Sequence, residues 1–340
     1  MGAPRGVLAV GMLTLDVVHV LDRLPQPDEK TWSRSQHIAF GGPAANAAAT
    51  AAALGAPSRL LAPFGQSPFT AVVAAQLQAA GVSWVDPTPQ VRHPSPVSTV
   101  LVTAGTGQRA VVAGGAPPLP DPADPNGLLD GLPNDLLDGL LDGVGAVLLD
   151  GHAHPWAVAV ARRGRARGIP VVLDGGSLKP GTAQLLEHVD LAILSADFHA
   201  PDDADPLGWT LGHGSCRYAA RSAGAGSLRW RARAGAATTE GVVPVAAVEV
   251  LDTLGAGDVL HGAAAVAVAR LGLSEATLAR VLGFGAGVAT LSCRYAGALG
   301  WASAAVGASV PALPALMQPQ AEITRLSTQF LHTPVDDHIR

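Results

Sequence analysis

The chain has 340 residues, a formal net charge of −5, only 14% charged side chains, 40 glycines and 4% aromatics. That length accommodates one large α/β domain carrying an insertion, or two modest domains. The acidic balance lacks the basic stripe a nucleic-acid partner requires, and no apolar run reaches the roughly 18 residues of a membrane span.

Arg5 precedes an apolar run to Val20, but Gly11, Thr14 and Asp16 interrupt it and no small-residue cleavage site follows; this predicts a buried first strand, Val7–Gly11, rather than a signal peptide. Asp16–Phe40 and Ser98–Gly114 alternate polar and apolar residues without a helical signal. Together they predict a small antiparallel sheet, a lid spanning about 12–40 and 97–114, whose strands would also pair two copies into a homodimer. Helices are predicted over Ala44–Leu54, Pro68–Ala80 and Pro155–Arg167, and strands over Ala146–Asp150, Pro170–Asp174, Leu191–Leu194 and Leu207–Leu211. Ala116–Gly145, rich in Pro, Asp and Gly, reads as loop plus short helix without a function. A strand-like run, Val242–Val250, leads to helices over Asp258–Leu271 and Ser274–Tyr295, and a polar tail begins near Gln318. Alternating strands and helices imply a parallel sheet covered on both faces, with ligands beyond the strands' carboxyl ends. Arg162, Arg163, Arg165 and Arg167 read as one solvated helix face. Cys216 and Cys293 give neither a disulfide framework nor metal-ligand spacing, so a soluble protein of a reducing cytoplasm is expected.

The segment Asp252-Thr253-Leu254-Gly255-Ala256-Gly257-Asp258 carries the chemistry. Gly255, Ala256 and Gly257 at a helix start leave backbone N–H groups uncovered, and with the helix dipole these suit a phosphoryl group gaining charge. Asp258, in the first turn, would accept the proton of an attacking hydroxyl. Upstream, Phe40-Gly41-Gly42-Pro43-Ala44-Ala45-Asn46 combines a Gly-Gly turn, which lets a ligand approach the backbone, with an amide able to meet a hydroxyl. No P-loop lysine motif occurs, and only Lys30 and Lys179 are lysines.

These two motifs, in this order, resemble the signatures of the ribokinase/PfkB carbohydrate kinase family, with ketohexokinase- and fructokinase-like features. The resemblance implies a ribokinase-like three-layer α/β/α fold over 1–317, with a mostly parallel sheet and a β lid. It also implies ATP-dependent phosphorylation of a small neutral sugar, with Asp258 as base and Gly255–Gly257 as the anion hole. Asp16, Asp28, Gly41, Gly42, Asn46, Arg109 and His152 would then bind substrate. Thr210, Gly212 and Gly214, with Gly285 and Ala289, would approach the nucleotide. The family's N-x-x-E is replaced by Leu194-Ser195-Ala196-Asp197-Phe198-His199, so Asp197 would reach magnesium through water; Asp252 and Thr253 would border a monovalent cation such as potassium. His261, one turn after Asp258, would face the same cleft, and Lys179 follows a predicted strand on the ligand side. A nucleoside acceptor, with Trp32 and Phe40 as stacking candidates, and a non-catalytic sensor are the alternative readings.

Overall fold

The computed structural model describes residues 5–92, 94–114, 132–152, 154–235 and 237–302. Residues 116–131 of the Pro/Asp/Gly-rich segment, the end of the expected kinase domain and the polar tail lie outside them. The first half comprises β1 (Gly6–Val10), β2 (Thr14–Leu21), β3 (Ser35–Gly41), α1 (Pro43–Ala53), β4 (Ser58–Leu61), α2 (Thr70–Ala79), β5 (Val82–Val85), β6 (Val97–Thr103) and β7 (Arg109–Ala113). There follow α3 (Asn134–Leu141), β8 (Val144–Leu149), α4 (His154–Ala166), β9 (Val171–Gly175), α5 (Thr182–Leu186), β10 (Leu191–Leu194), α6 (Pro206–Leu211), β11 (Tyr218–Ala223), β12 (Gly226–Ala234), β13 (Ala237–Val243), α7 (Ala256–Leu271) and α8 (Glu275–Ser292).

Nine strands form the main sheet in the order β13-β12-β11-β10-β9-β8-β1-β4-β5. It is parallel from β11 to β5, while β12 and β13 add an antiparallel edge. β1, β8, β9 and β10 are buried along their whole length, as uninterrupted apolar runs in a doubly covered sheet require. One face packs on α1, α7 and α8 through Val7, Leu148 and Ile193; the other, through Leu8, Val147 and Ala192, packs on α3 to α6. The fold is thus the expected three-layer α/β/α arrangement.

The abundance of Ala and Gly has a use here. A Cβ on Gly262 would stand 2.5 Å from the Ala47 carbonyl oxygen, and one on Gly285 would stand 2.8 Å from that of Leu260. Only small residues let α1, α7 and α8 come this close. Gly285→Ala is therefore expected to lower the thermal midpoint by several degrees, from an overpacking cost of about 1–3 kcal/mol. An unchanged melting curve would show that the helices separate freely.

Three expectations need correction. The lid sheet, β3-β2-β6-β7, is mixed rather than antiparallel, because β2 and β6 run parallel. Between β3 and β6 the chain crosses the main body through α1 to β5 and re-enters the lid from the same end as β2. Leu207–Leu211 is not a strand but most of α6: Asp205 caps it by accepting the Gly208 amide, and Pro206 occupies its first turn. Of the strand read at Val242–Val250 only Val242 and Val243 belong to β13, which ends there, and residues 244–250 form no strand.

Candidate active site

The carboxyl ends of β8, β9 and β10 meet the first turn of α7 and the root of the lid. Gly255 caps α7 in the left-handed region (φ 71), a conformation suited to glycine, and a Cβ there would lie 2.4 Å from that of Ala298. Gly257 is exposed, and a Cβ added to it would meet nothing within 4 Å. Of the first-turn amides, that of Ala256 donates to the Thr253 carbonyl at 3.3 Å, while Gly257 sets no side chain over the turn.

Asp258 is half-buried, and its Oδ2 accepts a hydrogen bond of 2.7 Å from Nδ2 of Asn46, 212 residues away in sequence. Burial first, then the neighbouring negative charge of Asp174, push its pKa up to about 7, with Asp150 adding and Asn46 and His261 opposing. Asn46 is itself buried. It was expected to meet a substrate hydroxyl; its position also fixes the orientation of the Asp258 carboxylate.

Asp16, on β2, lies close by the Gly-Gly turn. Its Oδ1 accepts from the Thr14 hydroxyl at 2.7 Å, and a Cβ on Gly41 would stand 2.0 Å from its Oδ2. Burial raises its pKa, against the hydroxyls of Thr14 and Ser98. Gly42 caps α1 at φ 95, where a Cβ would come within 2.6 Å of the Met12 carbonyl oxygen. Asp16 thus lies against Gly41, and Gly42 opens α1, the helix that carries Asn46 to Asp258.

Asp150 is the residue that sequence reasoning passed over. Its buried carboxylate accepts from the amides of Met12 (2.8 Å), Ala44 (3.1 Å) and His152 (2.9 Å), joining the β1–β2 junction, the start of α1 and the loop after β8. An acidic residue directly after an all-apolar strand was the available signal. His152 sits beside it, half-buried, with its pKa lowered by burial and by Lys179 against the pull of Asp150.

From the lid, Arg109 reaches the segment before α7, its Nη1 donating to the Thr253 hydroxyl at 3.1 Å. Asp252 braces that segment: Oδ1 accepts the Leu254 amide at 2.9 Å and Oδ2 the Gly297 amide at 2.8 Å. The backbone beside Asp252 and Thr253, where a monovalent cation was expected, is thus held in place by the side chains of these two residues. No group of three or more His, Cys, Asp or Glu side chains is arranged for a metal among the described residues. Asp197 is exposed just after β10, with its amide bonded to the Ser195 hydroxyl at 3.1 Å. A magnesium ion brought by a nucleotide and retained through water fits such a position.

Other expected site residues lie elsewhere. Asp28 is exposed, in a left-handed turn (φ 61) of the connection beyond the far end of β2. Thr210 is fully buried within α6. Gly212 and Gly214 precede β11, and a Cβ on Gly214 would collide with Glu187, which precedes the parallel strand β10. They therefore occupy the amino end of the sheet, away from Asp258. The turn on the carboxyl side of β11 is Ala223–Gly226, where Gly224 (φ 59) faces open space. Gly285 faces α7, and Ala289 is half-buried against the same core. Of the stacking candidates, Phe40 is buried and Trp32 is 96% exposed.

Residues 5–197, which include Asp16, the Gly-Gly turn, Asn46, Asp150 and Asp174, match the family model described as pfkB family carbohydrate kinase. Solved structures share the fold over nearly the whole chain. Ribokinase from Giardia lamblia aligns with a TM-score of 0.71 at 16% identity, covering 96% of this chain and 100% of that one. Ribokinase from Thermotoga maritima gives 0.67 at 18% identity, covering 95% and 99%. Arabidopsis thaliana ribokinase, in complex with ribose and ATP, gives 0.65 at 20% identity, covering 95% and 99%.

Proposed function

The chain belongs to the pfkB family of carbohydrate kinases, and on that premise we propose that it transfers the γ-phosphoryl group of ATP to a hydroxyl of a small neutral sugar, with Asp258 as the base. The observation that carries this reading is the Asn46–Asp258 hydrogen bond of 2.7 Å. It unites the two glycine-rich segments of the sequence and aims a carboxylate of near-neutral pKa beside uncovered helix amides.

In this reading Asp16 and Asn46 orient the sugar by its hydroxyls, and Asp258 takes the proton of the one that attacks. Asn46 holds the carboxylate in line. The amides of Gly257 and Asp258, at the positive end of α7, stabilise charge on the transferring group. Asp197 would help to hold magnesium, and the ion would supply positive charge against the phosphates of ATP. The glycines of Ala223–Gly226 allow a nucleotide to lie close to the main chain at the carboxyl end of β11. Arg109, anchored on Thr253, ties the lid to the catalytic segment. Asp16, and Asp258 when ionised, favour an uncharged polyol over a phosphorylated or carboxylated acceptor. A ketose such as fructose is one such acceptor, and the burial of Phe40 and the exposure of Trp32 disfavour a nucleoside.

A coupled ADP-release assay with D-fructose, D-ribose, other neutral hexoses, sugar phosphates and adenosine tests the assignment. A neutral sugar should give the highest kcat/KM; preference for adenosine or a sugar phosphate would overturn it. Asp16→Ala is expected to raise the sugar KM at least about tenfold, the scale of one lost hydrogen bond to a charged group, and to leave the ATP KM unchanged. Unchanged sugar kinetics would remove Asp16 from the site. The outer lid strands β3 and β7 are sheet edges exposing Ile38, Val111 and Val112, and their pairing with a second copy gives the proposed homodimer. Light scattering checks this, and a monomer would refute it.

A further inference from the structure

Asp174 and His261, 7% and 3% exposed, lie beneath the site and take no part in the transfer as described. His261 stands one turn after Asp258 on α7. Its Nδ1 is 2.6 Å from the Gly257 carbonyl oxygen and 3.2 Å from Oδ2 of Asp174, and its Nε2 is 2.9 Å from the Ile193 carbonyl oxygen. All three neighbours are acceptors. A ring with a proton on each nitrogen satisfies them and carries a positive charge against Asp174.

We infer that Asp174 and His261 form a buried ionic strut that locks the first turn of α7 against β9 and β10 and sets the electric field at the Asp258 carboxylate, making both of them positioning residues for the transfer. The strut joins three elements that no local sequence signal connects. Its two members act on Asp258 in opposite senses: the carboxylate of Asp174 disfavours the ionised base, and the imidazolium favours it. The remaining groups facing this cluster are Asp150 at the end of β8, Asn46 from α1, and His152 and Lys179 from the loops after β8 and β9. An apolar pair would hold the helix equally well, so the choice of a buried ion pair points to the neighbouring base. The inference rests on Asp258 as base for its catalytic meaning, but its electrostatics are measurable without any substrate.

The test follows carboxyl carbons in protein labelled with 13C-aspartate, titrated from pH 4 to 9 by NMR, with the Asp258 signal assigned by its loss in Asp258→Asn. Asp174→Asn should lower the Asp258 midpoint by about one pH unit, and His261→Gln should raise it by a similar amount, the scale of a close charge in a buried site. The acid limb of kcat/KM for the best neutral sugar should move in the same two directions, with the KM for ATP little changed. Midpoints that stay put, or move together, in these folded variants would overturn the strut. Should the variants fail to fold, 15N spectra of the wild-type ring decide: two protonated nitrogens at pH 7 support the strut, and a neutral ring refutes it. Turnover retained by Asp258→Asn would instead sink the base assignment without altering these titrations.

Discussion

Asp258→Asn is expected to slow phosphoryl transfer roughly 10²–10⁴-fold, the usual contribution of a general base, while ATP still binds. The same variant should be more stable than the wild type in alkaline solution. With a folded pKa of about 7, above the ordinary 3.8 of an aspartate, the folded protein holds a proton between those values that the unfolded chain has released. This group's contribution to stability therefore declines as pH rises from about 4 to about 7, and the loss persists above that range. Asparagine cannot ionise and escapes the loss, on the order of 2 kcal/mol once partial exposure is allowed for. Its thermal midpoint should exceed the wild type's by several degrees at pH 8 and approach it near pH 4. For the active enzyme the sign is opposite: Asp258 must be ionised to accept a proton, so kcat/KM should fall on the acid side of about pH 7. Turnover close to wild type in the variant would eliminate Asp258 as base; equal midpoints at pH 8 would show that the carboxylate is well solvated.

Gly257→Ala separates site chemistry from folding. The added Cβ meets nothing within 4 Å, and the position lies inside a helix, where alanine is favoured over glycine by roughly 0.5–1 kcal/mol. Stability should stay level or rise. Yet the methyl group would stand where the transferring phosphate must approach the first-turn amides, and kcat should fall about 10²-fold, as on losing one donor to developing charge. Full activity in the alanine variant would place the phosphate elsewhere. Gly255→Ala is the contrast: its Cβ would lie 2.4 Å from that of Ala298, and its backbone has φ 71, so stability and turnover should fall together.

How much of this was legible follows from the range of each interaction. The glycines and aspartate opening α7, and the Gly-Gly turn before α1, are local features that betray themselves in a few consecutive residues. The Thr210–Gly214 turn misled because a short apolar run suits strand and helix alike. Asp205 and Pro206, a capping residue followed by a first-turn proline, were the overlooked helix signal. Arg109 was placed over the cleft by its position in the lid, but its contact with Thr253 spans 144 residues and left no trace in spacing.

The sequence by itself determined the alternation of strands and helices, the existence of a lid, and the two glycine-rich segments that open α1 and α7, since each depends on propensity and pattern over short stretches. Only the tertiary structure decided that Asn46 aligns Asp258, that Asp150 joins three segments, and that Asp174 and His261 lie beneath Asp258. Those arrangements depend on which strand ends meet around a parallel sheet, and burial there gives each charge its strength. A linear pattern names the carboxylates; only their enclosure in one low-dielectric pocket brings one of them to near-neutral pKa.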